Sequence, residues 1–350
     1  MMMSVLADLS VYCEGTKGGA MGAFAEIIGN EQVKDYLINA LKTETVSHSY
    51  ILSGEDGVGK LMFAKEFARI LQCTGTGQRP CGCCHSCLQA ATDNQPDIIY
   101  VQHEKPGTIG VDDIRKGLVN DIQIRPYESQ YKIYIIDEAE KLSIQAQNAM
   151  LKTIEEPPVY GIILLLTSNL STFLPTIRSR CVELTIRPVT DIQEETFLQS
   201  KGIPEEKISS IVRFTRGNLG KALKMSASED FMEMIQRLQM ILKQVHSMNA
   251  EQLIQTVSLL GTYQADIKDC LDFMEQWYRD VLLFKATNDI NLLIFQEKGF
   301  ELKRSVERIS YEGIECILQA IQTARRRLDA NVNFDLTIQL LLEIMRENEV

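Results

Sequence analysis

A short apolar run, Tyr50-Ile51-Leu52-Ser53, enters Gly54-Glu55-Asp56-Gly57-Val58-Gly59-Lys60-Leu61, behind which Met62 to Arg69 keeps helical spacing. Strand, glycine loop and helix in that order make a P-loop, and no other segment limits the fold as strongly. Glycines are required because successive backbone N–H groups must approach phosphate closely, while the lysine brings positive charge to the terminal phosphates. Gly54, Gly57, Gly59 and Lys60 are therefore the expected nucleotide contacts. The pattern also calls for a serine or threonine after the lysine to hold Mg²⁺, and this chain has Leu61 there. Leucine cannot ligate a metal, so a P-loop fold is expected while the binding of ATP or ADP stays open.

A second strand, Lys132 to Ile136, runs into Asp137-Glu138 ahead of a helix expected over Lys141 to Ile154. This is the Walker B arrangement, an aspartate near Mg²⁺ and a glutamate placed to polarise water. A third strand, Gly161 to Leu166, ends in Thr167-Ser168-Asn169, putting hydroxyl and amide groups where parallel sheets bind ligands. Ile177-Arg178-Ser179-Arg180-Cys181 then precedes the alternating strand Val182 to Ile186. A permanently charged, fork-shaped arginine suits a reach toward a neighbour's γ-phosphate, although an arginine pair at a helix end also serves as a solvated, dipole-complementing feature.

Cys73, Cys81, Cys84 and Cys87 give C-x7-C-x2-C-x2-C. Four thiolates at this spacing can close a tetrahedron around structural Zn²⁺ with no position left for water, although Cys83 and His85 lie within the cluster as substitute ligands. Nine cysteines in 350 residues do not resemble a disulfide framework, and no apolar run approaches the roughly 20 residues that span a bilayer. Met1 to Ala20 lacks the pattern of a secretory signal, so a cytoplasmic location is expected. That stretch is expected to be a disordered tail or a misassigned start, with Met21 the true first residue. A net charge of −11 argues against a chain that grips nucleic acid by itself, so DNA contact should be shared or indirect.

Ser179-Arg180-Cys181, the stretch from Asp137-Glu138-Ala139-Glu140-Lys141-Leu142 through Glu155-Glu156-Pro157-Pro158, and His48-Ser49-Tyr50 resemble the bacterial DNA polymerase III clamp-loader subunits of the AAA+ family. The resemblance is dense from Phe24 to about Pro188 and looser beyond. It implies an arginine finger at Arg180 acting in trans, sensor 1 at Thr167, and sensor 2 within Gly217-Asn218-Leu219-Gly220-Lys221. Lys221 stands where family members commonly carry arginine, and equally suits a surface lysine near a helix start. The implied partners are gamma or tau motor subunits and a delta subunit, with the sliding clamp and primer-template DNA met through the complex.

The expected architecture is an α/β P-loop AAA+ domain over residues 21–188 with a small zinc-binding insert at about 73–87. A three-helix lid over 189–228 and an all-α collar or oligomerisation domain over 229–350 should follow. Met232, Ile235, Leu238, Met240 and Ile241 recur at helical spacing, and Asn333 to Leu341 opens a final helix. Trp277 and Tyr278 suit a core, and Arg325-Arg326-Arg327 a solvated face. Two functions compete. One is a delta-prime-type partner without ATPase or polymerase activity of its own, a component of a nucleotidyltransferase holoenzyme in DNA replication. The other is a gamma/tau-type ATP-hydrolysing motor, against which Leu61 counts; there Asp137 and Glu138 would be catalytic, whereas in the partner they are vestigial.

Overall fold

A computed structural model of the chain describes residues 23–75, 77–103, 107–295, 305–330 and 332–349, so the expected tail or misassigned start over 1–20 lies outside the described residues. These form two compact units. The first takes in residues up to Gln193 together with Gly217–Gly220; the second holds Glu194–Arg216 and the residues from Lys221 onward.

The first unit is a five-stranded parallel sheet in the order β2-β3-β4-β1-β5, from β1 (Ser49–Ser53), β2 (Ile98–Tyr100), β3 (Lys132–Ile136), β4 (Gly161–Thr167) and β5 (Val182–Thr185). β1, β3 and β4 are buried along their whole length, which explains their nearly continuous apolar runs. Successive residues serve opposite faces. Tyr50, Leu52, Ile133, Ile135, Leu164 and Leu166 pack with Val33 and Leu37 of α1 (Glu31–Lys42) and Phe63 and Phe67 of α2 (Lys60–Gln72). Ile51, Tyr134, Ile136, Ile163 and Leu165 pack instead with Ile114 of α4 (Val111–Ile114), Met150 and Ile154 of α5 (Ile144–Glu155) and Ile177 of α6 (Pro175–Arg178). A short helix α3 (His85–Ala91) is capped by Cys84 and contains Cys87.

The helix expected from Lys141 begins three residues later. Ala139–Lys141 is a separate 3₁₀ turn, and the Ser143 hydroxyl accepts the Ala146 N–H to cap α5. Side-chain capping therefore sets the start that the apolar pattern alone placed too early.

The second unit is helical. It contains most of α7 (Asp191–Ser200), then α8 (Glu205–Thr215), α9 (Leu219–Ala227) beyond its first two residues, α10 (Glu229–Gln244), α11 (Ala250–Gly261), α12 (Ile267–Thr287), α13 (Tyr311–Asp329) and α14 (Phe334–Asn348). One apolar cluster runs from Leu198 to Met345, with Phe273, Trp277 and Tyr278 fully buried in it. Arg325 leaves the solvated face expected for it: its guanidinium bridges Asp272 at 2.6 Å and Glu275 at 3.0 Å on α12. Among the described residues, no helix is long and apolar enough to cross a membrane.

Candidate nucleotide and metal sites

The sheet register brings the sequence-marked groups to one edge. Ser53 pairs with Thr167 and Ile136 with Leu165, so Gly54, Asp137 and Ser168 all leave their strands at the carboxyl ends. Gly54 is fixed by close approach: a Cβ there would sit 2.4 Å from the Ile186 carbonyl oxygen. Gly57 and Gly59 have φ of 90° and 99°, the left-handed region that favours glycine, and Gly59 leads directly into α2. The free N–H groups of that helix end and its positive dipole face the loop, as an anion site requires.

Lys60 is almost fully buried, and its ammonium donates to the carbonyls of Gly54 at 2.8 Å and Glu55 at 2.9 Å. Leu61 is partly buried and packs against the apolar cluster that includes α2, so the place of a Mg²⁺-ligating hydroxyl is taken by hydrocarbon. Asp137 remains within reach of solvent. Burial by its surroundings pushes its carboxyl above the ordinary range, opposed by the Glu138 N–H and by the charge of Lys60.

Thr167 is fully buried, and its hydroxyl donates to the Asn169 carbonyl and accepts the Asn169 N–H, shaping the turn after β4. Ser168 binds Glu140 through its N–H at 3.1 Å and hydroxyl at 2.8 Å. Lys221 lies in the helical unit, where its ammonium contacts Asp272 and stands 3.8 Å from Asp269. The residues just before it touch the loop instead. Asn218 donates from its side chain to the Asp56 carbonyl at 2.8 Å, and the Gly220 N–H donates to the Gly57 carbonyl at 3.0 Å. A Cβ on Gly220 would lie 2.6 Å from that same oxygen. The glycines of Gly217-Asn218-Leu219-Gly220 were the available signal for this contact, which the choice of Lys221 passed over.

Arg178 and Arg180 differ in what they are bound to. Arg178 grips both carboxylate oxygens of Glu183, donating from Nε at 2.8 Å and from Nη2 at 3.1 Å. Arg180 is exposed at the end of α6, with one nitrogen on the Thr176 carbonyl at 2.9 Å and the Ser179 hydroxyl at 3.1 Å, and its Nε 3.1 Å from Glu155. Cys181 packs against the core, and burial pushes its thiol up to about 12, so it is a packing residue.

The sulfur atoms of Cys73, Cys81, Cys84 and Cys87 lie within 4.8 Å of one another. A tetrahedral Zn²⁺ with bonds of about 2.3 Å sets its sulfurs about 3.8 Å apart, so the four fit the ion with little movement. N–H groups of Cys81, Cys84 and Cys87 donate to the sulfurs of Cys73, Cys81 and Cys84 at 3.3, 3.3 and 3.4 Å. Burial pushes the thiols of Cys73 and Cys87 up. At Cys84 burial is outweighed by donation from Cys87 and Thr74, which brings it down to about 6. Such a cluster carries four thiolates together only with a cation among them. Cys83 is exposed, and the His85 ring faces Glu128 at 3.9 Å, so the group of four forms without either.

Residues 29–190 match the family model described as DNA polymerase III, delta subunit. The chain is 36% identical to the DNA polymerase III subunit tau/gamma of Haemophilus influenzae over 49% of its own length and 24% of that protein's. It is 26% identical to subunit delta' of Bacillus subtilis over 90% of its own length and 96% of that protein's. A Thermotoga maritima structure, a DNA polymerase III gamma subunit-related protein, aligns with 19% identity and a TM-score of 0.47 over 90% of this chain and 99% of that one. The chain spans 24% to 60% of the length of the tau-type relatives it matches.

Proposed function

We propose that the chain, whose residues 29–190 match the family model described as DNA polymerase III, delta subunit, is a delta-prime-type clamp-loader subunit. It does not turn over ATP itself; it lends Arg180 in trans to the ATP site of a neighbouring gamma- or tau-type subunit beside a delta subunit. In this reading it helps load a sliding clamp onto primed DNA. In this reading the AAA+ core takes residues 21–188, followed by a lid over 189–228 and a collar over 229–350.

The observation that carries the reading is the contrast between the two arginines. The two are equally exposed, but Arg178 has two nitrogens held by the Glu183 carboxylate, whereas Arg180 meets a carboxylate, Glu155, only through its Nε and otherwise rests on the Thr176 carbonyl and the Ser179 hydroxyl. A guanidinium offered outward in this way serves a phosphate on another chain. Leu61 supports it from the other side, since a loop without a metal-ligating hydroxyl is a poor hydrolytic site. In the metal cluster, Cys73, Cys81, Cys84 and Cys87 would hold Zn²⁺ as a staple for the loop between α2 and β2. The motor reading, gamma- or tau-type, keeps one favourable observation: Asp137 stays in the field of Lys60.

Nucleotide binding and hydrolysis by the purified subunit separate the two. The unaltered chain is expected to show no turnover, with or without weak binding, and Leu61→Thr to tighten Mg²⁺-dependent ATP binding by about tenfold, the worth of roughly one added ligand. Robust turnover by the unaltered chain would restore the motor.

A further inference from the structure

The buried stripe of α14 runs out onto a carboxyl. Ile338, Leu341, Leu342 and Met345 recur at helical spacing and pack into the core of the helical unit, and the next position on that face is Glu349, only 2% exposed. Its N–H donates to the Met345 carbonyl at 3.1 Å and closes the helix, so the side chain follows the apolar stripe inward. Taking a carboxyl out of water is costly unless its oxygens find partners.

Three elements supply them. The hydroxyl of Tyr278 on α12, itself fully buried, donates to Oε1 at 2.5 Å. From the 3₁₀ turn Val245–Ser247, the His246 ring brings Nδ1 to 3.9 Å from Oε2. Arg308, in the helical stretch 305–308, lies with Nη1 2.7 Å from Nε2 and 3.1 Å from Nδ1 of that ring, so its guanidinium covers the imidazole rather than the carboxyl. The ring is held below its ordinary range by burial and by the Arg308 charge, which favours the neutral imidazole. α13 approaches through Gly313, which has no side chain to titrate; a Cβ there would sit 3.0 Å from the Asn348 carbonyl oxygen. The carboxyl thus touches a phenol and faces a neutral ring, with the full positive charge one residue further away.

We propose that the Glu349 carboxyl, seated against Tyr278, His246 and Arg308, is a proton-controlled latch that fastens the end of α14 to α12. The proposal stands apart from the clamp-loader reading. Burial pushes this carboxyl up to about 7, against the Tyr278 hydrogen bond and the Arg308 charge, which lower it. A docked Glu349 therefore holds its proton more tightly than a released one, which titrates in the ordinary carboxylate range. Docking is strongest below that range, weakens as pH rises to about 7, and is constant above. His246 acts in the opposite sense: kept neutral in the docked state, it loosens the helix as pH falls through the ordinary imidazole range.

The test is amide hydrogen exchange along α14 in the full chain, unaltered and carrying Glu349→Gln. Dividing the protection of the unaltered chain by that of the variant removes the intrinsic pH dependence of exchange and sets His246 aside. That ratio is expected to fall about tenfold from about pH 6 to about pH 8. A second measurement needs no stable variant: the carboxyl carbon of Glu349, followed by NMR in the unaltered chain, is expected to titrate with a midpoint near 7. Tyr278→Phe, which removes a donor to the ionised form, should move that midpoint upward, a change that a purely structural role for the phenol would not produce. A ratio that stays flat across the range, or a Glu349 midpoint in the ordinary carboxylate range, overturns the latch.

Discussion

On the trans role proposed for Arg180, its replacement by alanine should leave a clamp-loader complex assembled while turnover at the neighbouring ATP site falls by about three orders of magnitude, the usual worth of an arginine finger. The fold has little at stake in the residue. Its contacts are the Thr176 carbonyl, the Ser179 hydroxyl and Glu155, all at the surface, and an exposed ion pair of this kind contributes about 1 kcal/mol or less. Arg180→Lys should recover only part of the loss, since an ammonium keeps the charge but not the bidentate fork. Arg178→Ala is the internal control. It breaks the Glu183 pair, ordering α6 against β5 less well, and removes a guanidinium that is as exposed as that of Arg180 but has two nitrogens already held by a carboxylate. The measurement is DNA-stimulated ATPase of the reconstituted complex, with assembly followed by size-exclusion chromatography. Unchanged turnover in an intact Arg180→Ala complex would remove the trans assignment.

The choice between those two arginines shows where sequence reasoning stops. Both sit at the end of one short helix, and what distinguishes them is Glu183 on the following strand, whose reach becomes visible only with the pairing geometry. Elements with strong periodic or continuous apolar patterns were legible: β3 occupies the expected residues, β1 and β4 each extend one residue beyond the expected limits, and β5 ends one residue earlier. β2 was not, because three residues are too few to display a pattern. Leu61 could be seen as a missing hydroxyl, but not as a side chain packed into the core. The contacts of Asn218 and Gly220 with the glycine loop join positions about 160 residues apart in the chain, a separation that no local rule spans. The four cysteines are the opposite case, since their spacing alone named a group that folding then gathered.

On the zinc reading of the cluster, removing one of those cysteines should abolish metal binding and melt the insert while sparing the P-loop. Cys87→Ala takes a buried ligand at the start of α3, and the remaining three thiols no longer close the tetrahedron. Structural zinc contributes roughly 10 kcal/mol or more in small domains that fold around it, so losing it should unfold residues from Cys73 through α3, which have little other core. The damage should stop at α2. Gln72, its last residue, donates to the Tyr131 carbonyl at 2.7 Å, and Phe63, Phe67 and Ile70 bury their side chains against the sheet, so the helix is anchored independently of the metal. The expected results are about one equivalent of zinc in the native protein and markedly less in Cys87→Ala. Fast amide exchange should appear over residues 73–91 but not over 50–70. Acidification should act as the substitution does. Thiolates must be deprotonated to hold the ion, so affinity falls as pH drops and each released ion leaves protonated thiols behind. Cys83→Ala, by contrast, removes an exposed side chain outside the group of four and should retain the metal. Equal zinc content in Cys87→Ala and the native chain would mean that the cluster is a set of packed thiols, and the insert would then need another source of stability.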